Sequence, residues 1–199
     1  MFYSFITNAC YLYLKVFNKF IIKGQDNVPK DNSVVLVANH VSLWDPVILA
    51  CSVERVVHFM AKEELFRVPI LGRIIRNLNA FPIKRGKPDR GALRNASELL
   101  KKGNALGLFP EGTRSRNGEL RSFQPGAALF ALRSNAPIVP MALIGTKSTF
   151  PMSLRGKITV NIGRPLVYPH LYGKKISTAD LERVTDDIIE SITWLMKDV

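Results

Sequence analysis

The chain of 199 residues is expected to form an α/β fold: a single domain with a mixed, largely parallel sheet flanked by helices, plus an N-terminal membrane-associated helix. Three observations predict this. Short β-branched apolar runs alternate with longer segments of helical periodicity, the pattern of strands joined by crossover helices. The length suits one domain, and no repeat, low-complexity tract or linker divides it. Residues 1–22 are dense in aromatic and aliphatic side chains but broken by Asn8, Lys15, Asn18 and Lys19.

The expected division is a membrane-attachment helix over residues 1–23 and a globular domain over 24–199. The apolar stretch up to Leu14 is too short for an ordinary span, and lysines bound it. Aromatic side chains at headgroup level with lysines toward anionic lipid describe an interfacial helix. A spanning helix with snorkelling lysines and a helix packed in the core are the alternatives. A signal peptide fits poorly, because no basic region precedes the apolar part and no small-residue cleavage pattern follows.

Val34-Val35-Leu36-Val37-Ala38 reads as a buried strand, and Pro46 ahead of Val47-Ile48-Leu49-Ala50 as a helix opening. A strand at 56–59, a basic helix at 69–78 and a strand at 81–83 follow. Residues 90–102 place Leu93, Ala96, Leu99 and Leu100 on one helical face, with Gly103 as the stop. Next come a strand from Ala105, a helix over 125–133, and strands near 138–143 and 158–162. Residues 164–177 form a loop. Ser177 caps a last helix whose Leu181, Val184, Ile188, Ile192 and Leu195 make an apolar stripe.

Two short strings carry the chemistry. In Asn39-His40-Val41-Ser42-Leu43-Trp44-Asp45, a histidine precedes a carboxylate by five positions. At about 100° per residue the two cannot share a helix face, so they meet only across a turn. A carboxylate that accepts the Nδ1 proton fixes the tautomer and leaves Nε2 as a base near neutral pH. The competing reading makes Asp45 the cap of the helix that Pro46 opens, with Ser42 completing a capping box.

In Phe109-Pro110-Glu111-Gly112-Thr113-Arg114-Ser115, Pro110 ends a strand and Gly112 permits a tight turn. Backbone N–H groups, the Thr113 and Ser115 hydroxyls and the Arg114 guanidinium suit a phosphate. Glu111 would repel one, so it organises Arg114 or the turn, or binds a substrate hydroxyl. An Asn117-Gly118 turn can follow in its own right.

Over residues 24–165 the chain resembles the glycerolipid acyltransferases, bacterial lysophosphatidic acid acyltransferases among them. Four ordered blocks carry the resemblance: 39–45; Phe59-Met60-Ala61-Lys62-Glu63-Glu64-Leu65 with Pro69 and Gly72, leading to Phe81-Pro82-Ile83-Lys84-Arg85-Gly86; 109–115; and Val139-Pro140-Met141-Ala142-Leu143 after Phe123-Gln124-Pro125-Gly126.

The resemblance implies that residues 24–199 are an acyltransferase domain moving a fatty acyl group from a thioester to the hydroxyl of lysophosphatidic acid, giving phosphatidic acid. Glycerol-3-phosphate or another lysolipid is the alternative acceptor. His40 would be the general base, polarised by Asp45, with no acyl-enzyme. Arg85, Glu111, Gly112, Thr113 and Arg114 would bind the acceptor phosphate. Lys62 and Lys84 would contact phosphate or donor, or stand as solvated surface lysines. Val139-Pro140 would pack near the donor or simply end a buried strand. The expected partners are an anionic membrane surface, a lysophospholipid, and acyl carrier protein or coenzyme A as thioester co-substrate, at the cytoplasmic face of the cell membrane. No metal, other cofactor or nucleic acid is expected.

Charge fits these partners. The formal net charge is +12, and residues 62–133 hold 15 basic against 6 acidic side chains, whereas 178–199 hold 2 against 6. Such a field draws anionic lipid and phosphorylated substrates. It would equally suit nucleic acid, so a basic nucleic-acid-binding module is the alternative of another class, though no recognised binding motif is present. A hydrolase would need a nucleophile or metal that no motif signals. Cys10 and Cys51 lack metal-ligand spacing and read as reduced packing residues. His58 and His170 lack a carboxylate at useful spacing, and Trp44 reads as a core aromatic.

Overall fold

The computed structural model describes residues 2–84, 89–115, 117–149 and 156–198. Val34 to Ala38 are fully buried, as a strand covered on both faces requires, and this strand lies at the middle of a seven-stranded sheet. The strands are β1 (Lys19–Lys23), β2 (Val34–Ala38), β3 (Val57–Lys62), β4 (Ala80–Ile83), β5 (Ala105–Leu108), β6 (Ile138–Ile144) and β7 (Lys157–Ile162). They lie in the order β1-β7-β6-β2-β5-β3-β4, and all neighbours are parallel except β6 and β7. The expected mixed, largely parallel sheet is what forms.

The helices are α1 (Phe2–Phe17), α2 (Asp45–Cys51), α3 (Pro69–Asn77), α4 (Arg90–Lys101), α5 (Gly126–Arg133), α6 (Thr146–Thr149) and α7 (Thr178–Lys197). Alternation along β2 divides the core. Val34, Leu36 and Ala38 face a layer built on α1 and α2, while Val35 and Val37 face α4, α5 and α7. Local signals set the helix ends: Asp89 accepts a bond from Ala92 N at the start of α4, and Ser177 with Asp180 forms a capping box on α7. In α7, Val184, Ile188, Ile192 and Leu195 are buried as the stripe anticipates.

One element is corrected. The N-terminal helix does not run to residue 23. It ends at Phe17, and Lys19–Lys23 forms edge strand β1 beside β7. The last helical bond runs from Asn18 N to Leu14 O. Beyond it Phe20 alternates into the core between exposed lysines, a strand period rather than a helical one. The sheet thus begins before residue 24. Leu14 is fully buried, and Cys51 Sγ donates to the Thr7 carbonyl, fastening α1 to α2. Phe5, Leu12 and Val16 stay largely exposed. Among the described residues no helix is long and apolar enough to cross a membrane.

From β2 the chain leaves through α2 on one face; from its neighbour β5 it leaves through α5 on the other. The crevice beyond their carboxyl ends is the topological switch point, where open α/β sheets bind ligands. Both motifs end there.

Candidate active site

Asn39 sits directly after β2. Its side-chain amide exchanges two hydrogen bonds with the Leu143 backbone of β6, at 3.0 and 2.7 Å. That side chain takes over from the ladder and frees the main chain to turn. In the turn, His40 Nδ1 lies 2.8 Å from Asp45 Oδ2. The same oxygen accepts Val41 N and Ser42 N at 2.7 Å each, and Oδ1 accepts the Thr146 hydroxyl at 2.6 Å. Asp45 is fully buried, and His40 keeps 13% of its side-chain surface. An ionised carboxylate only accepts, so Nδ1 donates in this pair, and the neutral imidazole then has its lone pair on Nε2.

Asp45 binds the imidazole and the turn backbone together. The start of α2 has no side-chain cap, since the carboxylate turns back onto 40–42, and the Ser42 hydroxyl accepts from Trp44 N instead of closing a box. Trp44 itself is not core; it and Leu43 are exposed.

The second motif fastens the first. Glu111 Oε1 accepts His40 N at 2.7 Å, Ser115 N donates to His40 O at 2.8 Å, and Glu111 Oε2 accepts Arg121 N at 3.4 Å. Phe109 stacks on the imidazole, with ring centroids 4.3 Å apart and planes 25° apart. Glu111 is buried, and burial raises its carboxyl above the ordinary value against the lowering pull of the two N–H groups. Each Glu111 oxygen thus accepts one backbone N–H, and the side chain organises the turn that joins the two motifs.

Gly112, Thr113 and Arg114 are exposed in the turn beyond β5, and Gly112 takes φ +68°, which favours glycine. The next strands add Lys62 at the end of β3 and Lys84 just past β4, both exposed. With strands about 4.8 Å apart, the ends of β3 and β4 lie about 10 and 14 Å from that of β2. Lys62 pairs with Glu64 at 3.2 Å, and Lys84 N donates to Asp89. Arg85 lies outside the described residues. Val139 and Pro140 are buried within β6, short of its carboxyl end. Residues 117–119 form a bend, where Ser115 Oγ donates to Asn117 Oδ1 at 2.9 Å and accepts Gly118 N at 3.1 Å.

Sequence reasoning missed Thr146, which lies 101 positions from Asp45, and the Phe109 stack. A Gly-Thr pair beyond the strand next to β2 is a signal only once the strand order is known. The remaining histidines stand apart: His58 is half-buried in β3, its pKa lowered by burial, and His170 pairs with Arg183. Ser115 Oγ donates to Asn117 Oδ1 and Thr146 Oγ1 to Asp45 Oδ1. The site offers a base beside an exposed basic turn and fits attack by an oxygen that a substrate brings.

Comparison with known proteins points the same way. A family model described as Acyltransferase matches residues 19–144. The 1-acyl-sn-glycerol-3-phosphate acyltransferase of Bacillus subtilis is 31% identical over 94% of this chain and 96% of its own length. The chain also matches a chloroplastic 1-acyl-sn-glycerol-3-phosphate acyltransferase of Brassica napus, at 33% identity over 88% of this chain and about half (52%) of that longer protein. Among solved structures, the 1-acyl-sn-glycerophosphate acyltransferase of Thermotoga maritima superposes with a TM-score of 0.77 at 27% identity, covering 99% of this chain and 78% of that one.

Proposed function

The chain belongs to the acyltransferase family, and on that footing we propose that it transfers a fatty acyl group from a thioester to the free hydroxyl of 1-acyl-sn-glycerol-3-phosphate, giving phosphatidic acid. The observation that carries the reading is the His40–Asp45 pair, held in a turn whose backbone is fastened at both its N–H and its C=O to the second motif.

The acceptor hydroxyl lies against His40 Nε2. As its oxygen attacks the thioester carbonyl carbon, its proton passes to Nε2, and Asp45 stabilises the imidazolium that results. The tetrahedral intermediate collapses, the C–S bond breaks, and the imidazolium returns the proton to the departing thiolate. One ester and one free thiol result, with no covalent acyl-protein.

Arg114, Thr113 and the Gly112 turn hold the acceptor phosphate, joined along the same edge by Lys62 and Lys84; the resemblance adds Arg85 to this set. Those lysines also meet the anionic donor, coenzyme A or acyl carrier protein. The outward apolar face of α1 rests in the cytoplasmic leaflet, so the enzyme is peripheral or monotopic and takes its lipid acceptor from the surface. The test is acyl transfer by purified protein, offering lysophosphatidate and glycerol-3-phosphate against both thioester donors. Phosphatidate formed with matching thiol release is the expected result; acylation of glycerol-3-phosphate alone would reassign the acceptor.

A further inference from the structure

Helix α3 is amphipathic in a direction that folding alone does not explain. Gly72 is its buried residue, pressed against the Phe66 carbonyl where any Cβ would collide. At about 100° per residue, Ile70 and Ile74 each lie about 160° around the axis from Gly72. They form a ridge facing away from the protein, and they are 77% and 40% exposed. Leu71 flanks the ridge on one side and Arg73 on the other; Val68 and Leu65 extend the apolar surface toward β3. Arg76 lies over the Phe66 ring at 5.2 Å, and Arg67 pairs with Glu63. A surface helix of a water-soluble domain turns its apolar arc inward; here Ile75 beside Gly72 is half-buried, while Ile70, Leu71 and Ile74 remain exposed.

The helix also has a telling position. The β3–α3–β4 crossover runs in the same lateral direction as β2–α2–β3, so right-handed connection puts α3 on the sheet face that carries α1 and α2. It starts beyond the carboxyl end of β3, the edge that holds His40. Exposed Phe5, Leu12 and Val16 of α1, Leu43 and Trp44 of the catalytic turn, and the α3 ridge therefore belong to one side of the molecule.

We propose that α3 is a second membrane-contact element: Ile70, Leu71 and Ile74 enter the headgroup–acyl boundary of an anionic bilayer, with Arg67 and Arg73 among the lipid phosphates. The inference rests on the acyltransferase reading only for placing a lipid acceptor at this edge. Contact at α1 alone would leave the molecule free to pivot. Contact at α1 and α3, on opposite flanks of the sheet, holds the mouth between β2 and β5 against the leaflet. Charge favours this occupant, because arginines interleave with the ridge and an anionic surface attracts each of them.

The experiment uses the full chain with vesicles of phosphatidylcholine with and without phosphatidylglycerol, read by flotation. Ile70→Glu/Ile74→Glu should lower partitioning by about tenfold or more and cut kcat/KM for vesicle-borne lysophosphatidate. Activity on a short-chain acceptor dispersed below its aggregation concentration should stay within about twofold. Arg73→Glu should weaken binding to anionic vesicles and leave binding to neutral ones unchanged. Undiminished flotation of the double variant would overturn the proposal. So would a light-scattering mass that drops from dimer to monomer with vesicle binding intact, since the ridge would then cover a second copy of this chain. Wild-type protein that floats through α3 but transfers no acyl group would refute the catalytic reading and leave the docking surface standing.

Discussion

Asp45→Asn removes a charge and little else, which makes it the most instructive single change in the site. Three donors converge on Asp45 Oδ2: His40 Nδ1–H, Val41 N–H and Ser42 N–H. An asparagine must place its carbonyl oxygen there, since its NH2 group would face three donors. The NH2 then meets Thr146 Oγ1, which can turn its hydroxyl and accept. Turn and tautomer both survive. What is lost is the carboxylate's hold on the imidazolium formed during proton transfer. A hydrogen bond to a charged partner is worth about 1.5–3 kcal/mol against about 0.5–1.5 kcal/mol for a neutral one. A unit charge about 4 Å away at an effective dielectric near 20 contributes about 4 kcal/mol. The transition state should therefore lose about 1–4 kcal/mol, or between about fivefold and about a thousandfold in kcat. Thiol release from acyl thioester measures kcat, and a thermal melt should show the fold intact. Turnover within about twofold of wild type would refute the reasoning and reduce Asp45 to a backbone clamp.

Thr146→Val should lower kcat while leaving the acceptor KM nearly unchanged, because Oδ1 of a buried carboxylate loses its donor at a cost of about 1.5–3 kcal/mol; Thr146→Ser should restore activity, and equal loss in both variants would contradict a positioning hydroxyl. Arg114→Ala should raise the acceptor KM by about tenfold or more with kcat largely held, as loss of a charge-assisted phosphate contact requires; an unchanged KM would remove Arg114 from the phosphate site. Burial raises the Glu111 carboxyl, so the folded protein holds that proton more tightly than the unfolded chain. Its contribution to stability therefore falls as pH rises from the ordinary glutamate range through the raised native value. The Tm of wild type minus that of Glu111→Gln should decline as pH rises above the ordinary glutamate range, and a flat or rising difference would contradict the assignment.

The sheet was legible because its central strands are nearly continuous apolar runs set between helical stripes, with Pro46, Gly103 and Ser177 marking ends. The break at Asn18 was hidden, since the apolar composition of α1 continues through β1 and the flanking lysines suit an interfacial helix as well as an edge strand. His40 and Asp45 were legible as a pair because a five-residue turn brings them together. Glu111 was legible as a turn organiser but its partner was not, since that partner is a backbone N–H 71 positions earlier, which no residue pattern encodes. Thr146 was hidden for the same reason. In α3 the basic helix could be read from the sequence, but the direction of its apolar ridge depends on knowing that Gly72 faces inward.

The central claim is that His40 Nε2 takes the acceptor's proton. His40→Ala, purified and shown by its melt to be folded, is assayed for phosphatidate formation at saturating lysophosphatidate and thioester. A positioned general base contributes about a hundredfold to ten-thousandfold, so the account predicts turnover lower by at least about a hundredfold. Turnover near that of wild type would contradict it.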